Sequence, residues 1–452
     1  MGKLFGTDGA RGVANSELTP ELAMKIGRAA AIVLTKHKKG GERAKIVIGK
    51  DTRVSSNMLE AALSAGICST GSDAYILETV PTPAVAFLVK GYDADAGVMI
   101  SASHNPVEFN GIKLFDKDGF KLPDSLEDEI EELIFSDYRE DPVKIGGDVG
   151  QIFRVPSAKD DYIEHIVSST QTNASGLKVA LDLANGSASA TAPELFKRLG
   201  ADIEVIAGDP NGININRDCG STHIENIAEF VKEGNFDIGL SFDGDADRLL
   251  AVDEKGNLVD GDKLIAIFAW YLKEKGELRD DTVVVTVMSN LGFFEFADKY
   301  GINALSSKVG DRYVLEKMIE GSYVLGGEQS GHIILLEHAS TGDGQLSAAM
   351  LLKIMSETGK PLSELARVME TYPQVMKNVT VPNENKAKLE TDKDIKRVIG
   401  ECQEILKKGG RVLVRASGTE PLVRVMLEGK DEKQIDKLAS KIADKIREKI
   451  GA

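Results

Sequence analysis

Phe242-Asp243-Gly244-Asp245-Ala246-Asp247-Arg248 sets three carboxylates at every second position, directly after the apolar run 238–240. At that spacing they can project to one side, and Gly244 and Ala246 let the backbone bend tightly. Carboxylates held so close repel one another unless a cation sits among them. Oxygen donors without His or Cys suit Mg²⁺ better than zinc or copper. A solvated acidic turn and a calcium loop are the alternatives, but an EF-hand needs further ligands where Leu249-Leu250-Ala251-Val252 stands.

A second group is Ser101-Ala102-Ser103-His104-Asn105-Pro106, followed by Asn110-Gly111-Ile112-Lys113. It runs on from the apolar stretch 97–100, and open α/β sheets place their ligands at the carboxyl ends of parallel strands. Asn105-Pro106 disfavours helix, so the Ser103 hydroxyl is expected on an exposed loop. Adjacent Ser and His on such a loop point apart, and no GxSxG elbow is present. A serine that carries phosphate, its oxygens on the metal and Lys113 nearby, is favoured over a hydrolase triad; a plain turn is the bland reading. In Arg415-Ala416-Ser417-Gly418-Thr419-Glu420, with Arg424 beyond, hydroxyls, a glycine and backbone N–H groups suit an anion and two arginines can grip phosphate. A polar hairpin loop is the alternative. In Gly326-Gly327-Glu328-Gln329-Ser330-Gly331-His332 the glycines permit close backbone approach, and Glu328 and Ser330 suit sugar hydroxyls, although Gly-rich turns are common.

The elements that must position these groups follow from periodicity. Thr19-Pro20-Glu21 reads as a helix start, with Leu22, Ile26, Ala29, Ala30 and Val33 at helical spacing. Short buried strands are expected at 46–48, 74–77 and 97–100, with helices at 58–67 and 84–89 between them. This alternation predicts βαβ units and a mostly parallel sheet covered on both faces. The pattern restarts at 178–183, followed by a helix at 192–199 and a strand at 203–206, and again at 282–287. Residues 141–150 read as a first linker, and Lys255-Gly256-Asn257 as a hairpin turn. After Tyr372-Pro373 the order becomes βαββα: strands at 379–381, 411–414 and 422–426, helices at 395–406 and 432–450.

With 452 residues the chain is too long for one core, and about three or four domains are expected. A formal net charge of −16 argues against a nucleic-acid partner and against an anionic membrane surface, but not against a small anionic substrate gripped by a few local cations. Cys68, Cys219 and Cys402 are too scattered for a disulfide framework or a zinc site. The start lacks a signal-peptide apolar core, and the apolar stretch 264–272 is about half of what a bilayer needs. The expected location is the cytoplasm.

These segments in this order resemble the α-D-phosphohexomutase superfamily across essentially the whole chain. Phe5-Gly6-Thr7-Asp8-Gly9-Ala10-Arg11-Gly12, Lys308-Val309-Gly310-Asp311-Arg312 and Thr341-Gly342-Asp343-Gly344 fit as well. Asn211-Gly212-Ile213-Asn214-Ile215-Asn216 and Cys219-Gly220-Ser221-Thr222-His223, with the opening, Ser103 and Glu328 motifs, are most similar to the bacterial phosphoglucosamine mutase branch. Ala416 departs from relatives that often carry Pro or Lys there. The resemblance implies three mixed or parallel-sheet α/β domains around a central cleft (1–152, 153–254, 255–369) and a smaller C-terminal α+β domain (370–452). It implies conversion of glucosamine 6-phosphate to glucosamine 1-phosphate through phosphoserine 103 and a sugar 1,6-bisphosphate that also serves as activator. One Mg²⁺ per site would be held by Asp243, Asp245, Asp247 and the phosphorylated Ser103, with Arg11 and Arg248 adding positive charge. Lys113, its pKa lowered among other cations, would be the general acid/base, with His104 and His332 as weaker candidates. Glu328 and Ser330 would read the sugar, and Arg415, Ser417, Gly418, Thr419 and Arg424 the non-reacting phosphate. A hinge is expected near Tyr372-Pro373, and the protein as monomer or homodimer. Rival readings are a phosphomannomutase or phosphoglucomutase with the same machinery, a silent phosphosugar sensor, and a Mg²⁺-dependent phosphatase.

Overall fold

The Thr19 side chain accepts the Leu22 N–H at 3.2 Å and caps the helix Pro20–Leu34, the first of the expected helices in a computed structural model that describes residues 4–6, 8–38, 42–136, 144–417 and 421–451. Its buried residues Ile26, Ala30 and Val33 share a core with Leu63 of the helix Val54–Cys68 and with Ile46, Ile48 and Val98 of a seven-stranded sheet. From one edge to the other that sheet runs Phe5–Gly6, Gly9–Val13, Phe109–Phe115, Ala96–Ile100, Lys45–Lys50, Asp73–Thr79 and Ile152–Arg154. The first three pairings are antiparallel and the last three parallel. The sheet is therefore mixed, because the unanticipated strand Phe109–Phe115 returns beside Ala96–Ile100 instead of crossing over through a helix. Part of the expected 141–150 linker lies outside the described residues, and Gly146–Asp148 within it is a 3₁₀ turn.

The second sheet orders Leu258–Val259, Leu249–Asp253, Ile238–Phe242, Lys178–Asp182 and Asp202–Ile206, with parallel pairing among the last three. Gly256, at φ +77°, makes the expected hairpin turn. The third sheet orders Asn303–Ser307, Thr282–Thr286, Leu325–Gly327 and Ile333–Leu335, and only the last pair is antiparallel. The fourth is antiparallel throughout, Gln374–Thr380, Leu422–Gly429 and Gly410–Ala416, under the helices Lys393–Leu406 and Glu432–Ile450. The result is a four-domain α/β protein. The longest apolar stretch lies in the 15-residue helix Gly261–Lys275, and among the described residues no helix is long and apolar enough to cross a membrane.

Two compact units result: Met1–Met288 with Ile302–Val368, and Ser289–Gly301 with Met369–Ala452. The helix Leu291–Tyr300 thus groups with the C-terminal unit. Within that unit the Asn290 side chain donates to the Tyr372 carbonyl at 3.0 Å and accepts the Tyr372 N–H at 2.9 Å, and the Tyr372 hydroxyl donates to Glu295. Buried and held on both backbone groups, Tyr372 is a fixed point within the unit.

Candidate active site

Ser103 follows the buried strand Ala96–Ile100 and takes left-handed backbone, φ 51°, which a non-glycine residue adopts only when its surroundings hold it there. The holding is explicit. Arg53, buried between the strand Lys45–Lys50 and the helix Val54–Cys68, donates to the carbonyls of Ser103 (2.9 Å), Asn105 (2.8 Å) and Pro106 (2.7 Å). Asp51 fixes the guanidinium at 2.9 Å and also accepts from Ser56 (2.8 Å) and Ser101 (2.7 Å). The Asn216 amide donates to the same Ser103 carbonyl at 2.8 Å. Ser103 is 1% exposed, so its hydroxyl does not stand on an exposed loop: these clamps draw it in, and it donates to Asp243.

The metal-type cluster lies across from it. The strand Ile238–Phe242 ends at Asp243, and oxygens of Asp243, Asp245 and Asp247 lie within 4.8 Å of one another, all buried. Gly244 is required, because a Cβ there would stand 2.5 Å from the Ser103 carbonyl oxygen. Burial first, then the charges of Asp247 and Asp245, push the Asp243 carboxyl well above the usual carboxylate range. Burial opposes ionisation of Asp247 as well, but Lys113, His332 and Arg248 outweigh it and hold its pKa at about 2. Oδ1 of Asp245 and Oδ1 of Asp247 are buried without a hydrogen-bond partner among the described residues. Buried acceptors of this kind are rarely left unsatisfied. Three converging hard oxygen donors, two of them unspoken for, fit a divalent metal ion.

The cations close the site. Lys113 points from the strand Phe109–Phe115 with its Nζ 2.7 Å from Asp245, 3.3 Å from Asp247 and 3.2 Å from Asp8. Burial disfavours its charge, yet Asp245, Asp8 and Asp247 together raise its pKa well above the ordinary value. The expected lowering is corrected here: carboxylates, not cations, surround this lysine. Arg11 donates to Asp8 and to Asn105 (3.4 Å). Arg248 donates its backbone N–H to Asp243 (3.2 Å), and its guanidinium lies 3.8 Å from Asp247. His104 Nδ1 is 3.3 Å from the Ser103 hydroxyl; burial and the charges of Arg248 and Arg11 push its pKa down to about 4 and keep it neutral. His332 Nε2 accepts the Gly342 N–H at 3.1 Å, and its buried Nδ1 has no partner among the described residues. Lys121 bridges Asp8 (2.6 Å) and Asp311, a pair of contacts that ties the opening segment to the Asp311 loop.

Ser103, Asp243, Asp245, Asp247, Lys113, Arg11, Arg248, His104 and His332 thus converge in one unit. Glu328 belongs to it too: its carboxylate accepts the Gly310 N–H at 3.0 Å and helps keep Arg248 charged. Ser330 is exposed on the turn between Leu325–Gly327 and Ile333–Leu335. In the C-terminal unit Arg415 and Arg424 are direct cross-strand partners; burial, then the charge of Arg424, lowers the Arg415 pKa. The Ser417 N–H donates to the Leu422 carbonyl at 2.9 Å, while Gly418 and Thr419 lie outside the described residues. Sequence reasoning missed Asp51, Arg53, Asn216 and Lys121, and gave Asp8 no role. Asp51 and Arg53 carried a usable signal, since they follow a buried parallel strand at its carboxyl end, as Ser103 does.

Comparison with known proteins supplies the remaining findings. Four models of the phosphoglucomutase/phosphomannomutase family match in order: alpha/beta/alpha domain I over residues 2–141, domain II over 160–256, domain III over 260–372 and the C-terminal domain over 376–445. The chain is 53% identical over 452 residues to a phosphoglucosamine mutase of Clostridium novyi, covering 100% of each. It is 54% identical over 450 residues to one of Caldanaerobacter subterraneus subsp. tengcongensis, again covering 100% of each. Among solved structures, a phosphoglucomutase/phosphomannomutase family protein from Burkholderia thailandensis superposes with a TM-score of 0.82 at 25% identity, covering 98% of this chain and 97% of that one.

Proposed function

Since this chain belongs to the phosphoglucomutase/phosphomannomutase family, in its phosphoglucosamine mutase branch, we propose that Ser103 is the group through which it moves phosphate between the 6- and 1-positions of glucosamine phosphate. It is an isomerase, an intramolecular phosphotransferase. The observation that carries the reading is the buried Ser103 hydroxyl donating into a carboxylate triad with two unsatisfied oxygens.

In the resting enzyme Ser103 carries phosphate. Its Oγ–P bond breaks as the free hydroxyl of the sugar phosphate attacks phosphorus, giving a sugar 1,6-bisphosphate and a free serine. After the bisphosphate turns over in the site, Ser103 takes back the other phosphoryl group. Such transfer rests on positioning and charge stabilisation. Asp243, Asp245 and Asp247 would hold a divalent metal ion, and an all-oxygen donor set of this kind suits Mg²⁺; when bound it would supply positive charge against the transferring phosphoryl oxygens. Arg11 and Arg248 add fixed charge from either side. Lys113, an ammonium at the start of the cycle, gives a proton to the departing Ser103 Oγ and, then as the amine, takes up the proton of the attacking sugar hydroxyl, with His104 and His332 as secondary candidates. Glu328 and Ser330 read sugar hydroxyls.

The domain assignments 1–152, 153–254, 255–369 and 370–452 go with this division of labour. The last domain grips the non-reacting phosphate through Arg415, Ser417, Gly418, Thr419 and Arg424. Two arginines side by side across strands favour an anion between them. The same reading makes the bisphosphate the activator, the cytoplasm the location, and a monomer or homodimer the working form without nucleic-acid or membrane partners.

Rates on glucosamine 6-phosphate, glucose 1-phosphate and mannose 1-phosphate, measured side by side with Mg²⁺ and trace sugar bisphosphate, test it. A glucosamine preference that Ser103→Ala abolishes is the expected result. Preference for another sugar would move the enzyme to a neighbouring branch, and a fully active alanine variant would refute the phosphoserine.

A further inference from the structure

The metal-type loop is gripped from three separate segments. The carbonyl of Gly244 accepts the Ser187 N–H at 2.9 Å, that of Asp245 the Thr82 N–H at 2.9 Å, and that of Ala246 the Gly344 N–H at 3.0 Å. Of these three partners only Thr82 also reaches a ligand side chain. Its hydroxyl donates to Asp245 Oδ2 at 2.6 Å, and Thr82 is fully buried at the start of the helix Thr82–Gly91.

We infer that Thr82 is a positioning residue for the metal: its hydroxyl fixes the Asp245 carboxylate so that Oδ1 is presented to the cation. The inference rests on the metal reading above. Asp245 Oδ2 takes two donors, the Thr82 hydroxyl and Lys113 Nζ at 2.7 Å, while Oδ1 takes none among the described residues. Rotation of the carboxylate would break both bonds at once, and the fully buried Thr82 is shut off from bulk solvent. The threonine is itself stiff, because its branched Cβ restricts χ1 and its backbone N–H is already tied to the Asp245 carbonyl. Thr82 therefore orients both the main chain and the side chain of one ligand, from a segment more than a hundred positions away. Outer partners of this kind typically matter by a factor of about 10–100 in metal affinity.

Thr82→Val keeps the shape and removes the donor, and Thr82→Ser keeps the donor. Mn²⁺ is titrated calorimetrically into each full-length protein at one Ser103 phosphorylation state, checked by intact mass. The expected result is Mn²⁺ affinity weakened about tenfold or more in the valine variant and retained in the serine variant. If the valine variant does not fold, Thr82→Ala takes its place in the same titration. Wild-type affinity in the variant lacking the hydroxyl overturns the proposal, as does equal loss in the serine variant, which would trace the effect to packing. A wild-type chain that binds no Mn²⁺ removes the metal reading, and the role of Thr82 with it.

Discussion

Asp343 caps the helix Gly344–Thr358 by accepting the Leu346 N–H at 2.9 Å, and both its oxygens accept from the buried Tyr162 hydroxyl, at 2.9 and 3.0 Å. Burial outweighs these bonds and raises its pKa from 3.8 to about 6. A carboxyl whose pKa is raised on folding adds stability that is complete below about pH 4 and lost as pH rises through 6. The loss is at most ~3 kcal/mol. Asn can serve the same cap, so Asp343→Asn is expected to flatten the fall in unfolding temperature between pH 4 and pH 7; an unchanged slope would remove Asp343 as its source. The residue scale is also where the sequence misleads most. The types of Ser103 and of the three aspartates announce their chemistry. The environment of Lys113 does not, since Asp8 meets it only after the strands Gly9–Val13 and Phe109–Phe115 have paired, and Asp245 and Asp247 reach it from the second sheet.

At the scale of elements, hydrophobic period and caps were legible: the helix Pro20–Leu34 begins at its Thr-Pro signal, and Glu432–Ile450 runs where its apolar stripe predicted. The strand Phe109–Phe115 was not, because Asn110 and Lys113 interrupt its apolar pattern while being buried by the site they serve. The strand-to-helix junction at Asp51–Arg53 was passed over for a related reason: a charged pair in a turn ordinarily belongs to the surface. Here it is a buried ion pair that also holds the carbonyls of Ser103, Asn105 and Pro106 and the hydroxyls of Ser56 and Ser101, partners that the sequence alone does not show. Arg53→Met leaves Asp51 buried and uncompensated, at a cost of roughly 3–5 kcal/mol. Adding Asp51→Asn is expected to recover part of that stability without restoring turnover, since the carbonyls of Ser103, Asn105 and Pro106 still lack the guanidinium that ties them together. Urea unfolding of the single and double variants checks the first statement and turnover rates the second; a fully active double variant would refute the role given to Arg53.

At the scale of the whole molecule, the order of four sheets could be read from the restarts of the βα pattern, and the βαββα order of the last from its strands and helices. The grouping of the helix Leu291–Tyr300 with the C-terminal unit could not, because it depends on long-range bonds such as those of Asn290 to Tyr372. Asn290→Ala deletes both of those bonds inside a buried setting, and a loss of about 1–3 kcal/mol in the stability of the C-terminal unit is expected. Hydrogen exchange across 369–452 measures it, and unchanged protection there would show that Asn290 carries no such load.

The Ser103 carbonyl is clamped by Arg53, 50 positions earlier, and by Asn216, 113 positions later, and the serine hydroxyl meets its carboxylate 140 positions downstream. On a ribosome these partners emerge in that order. A nascent chain therefore holds Ser103 long before it owns the groups that clamp it. On the role proposed for Ser103, a product truncated before Asn216 is expected to carry an inert serine.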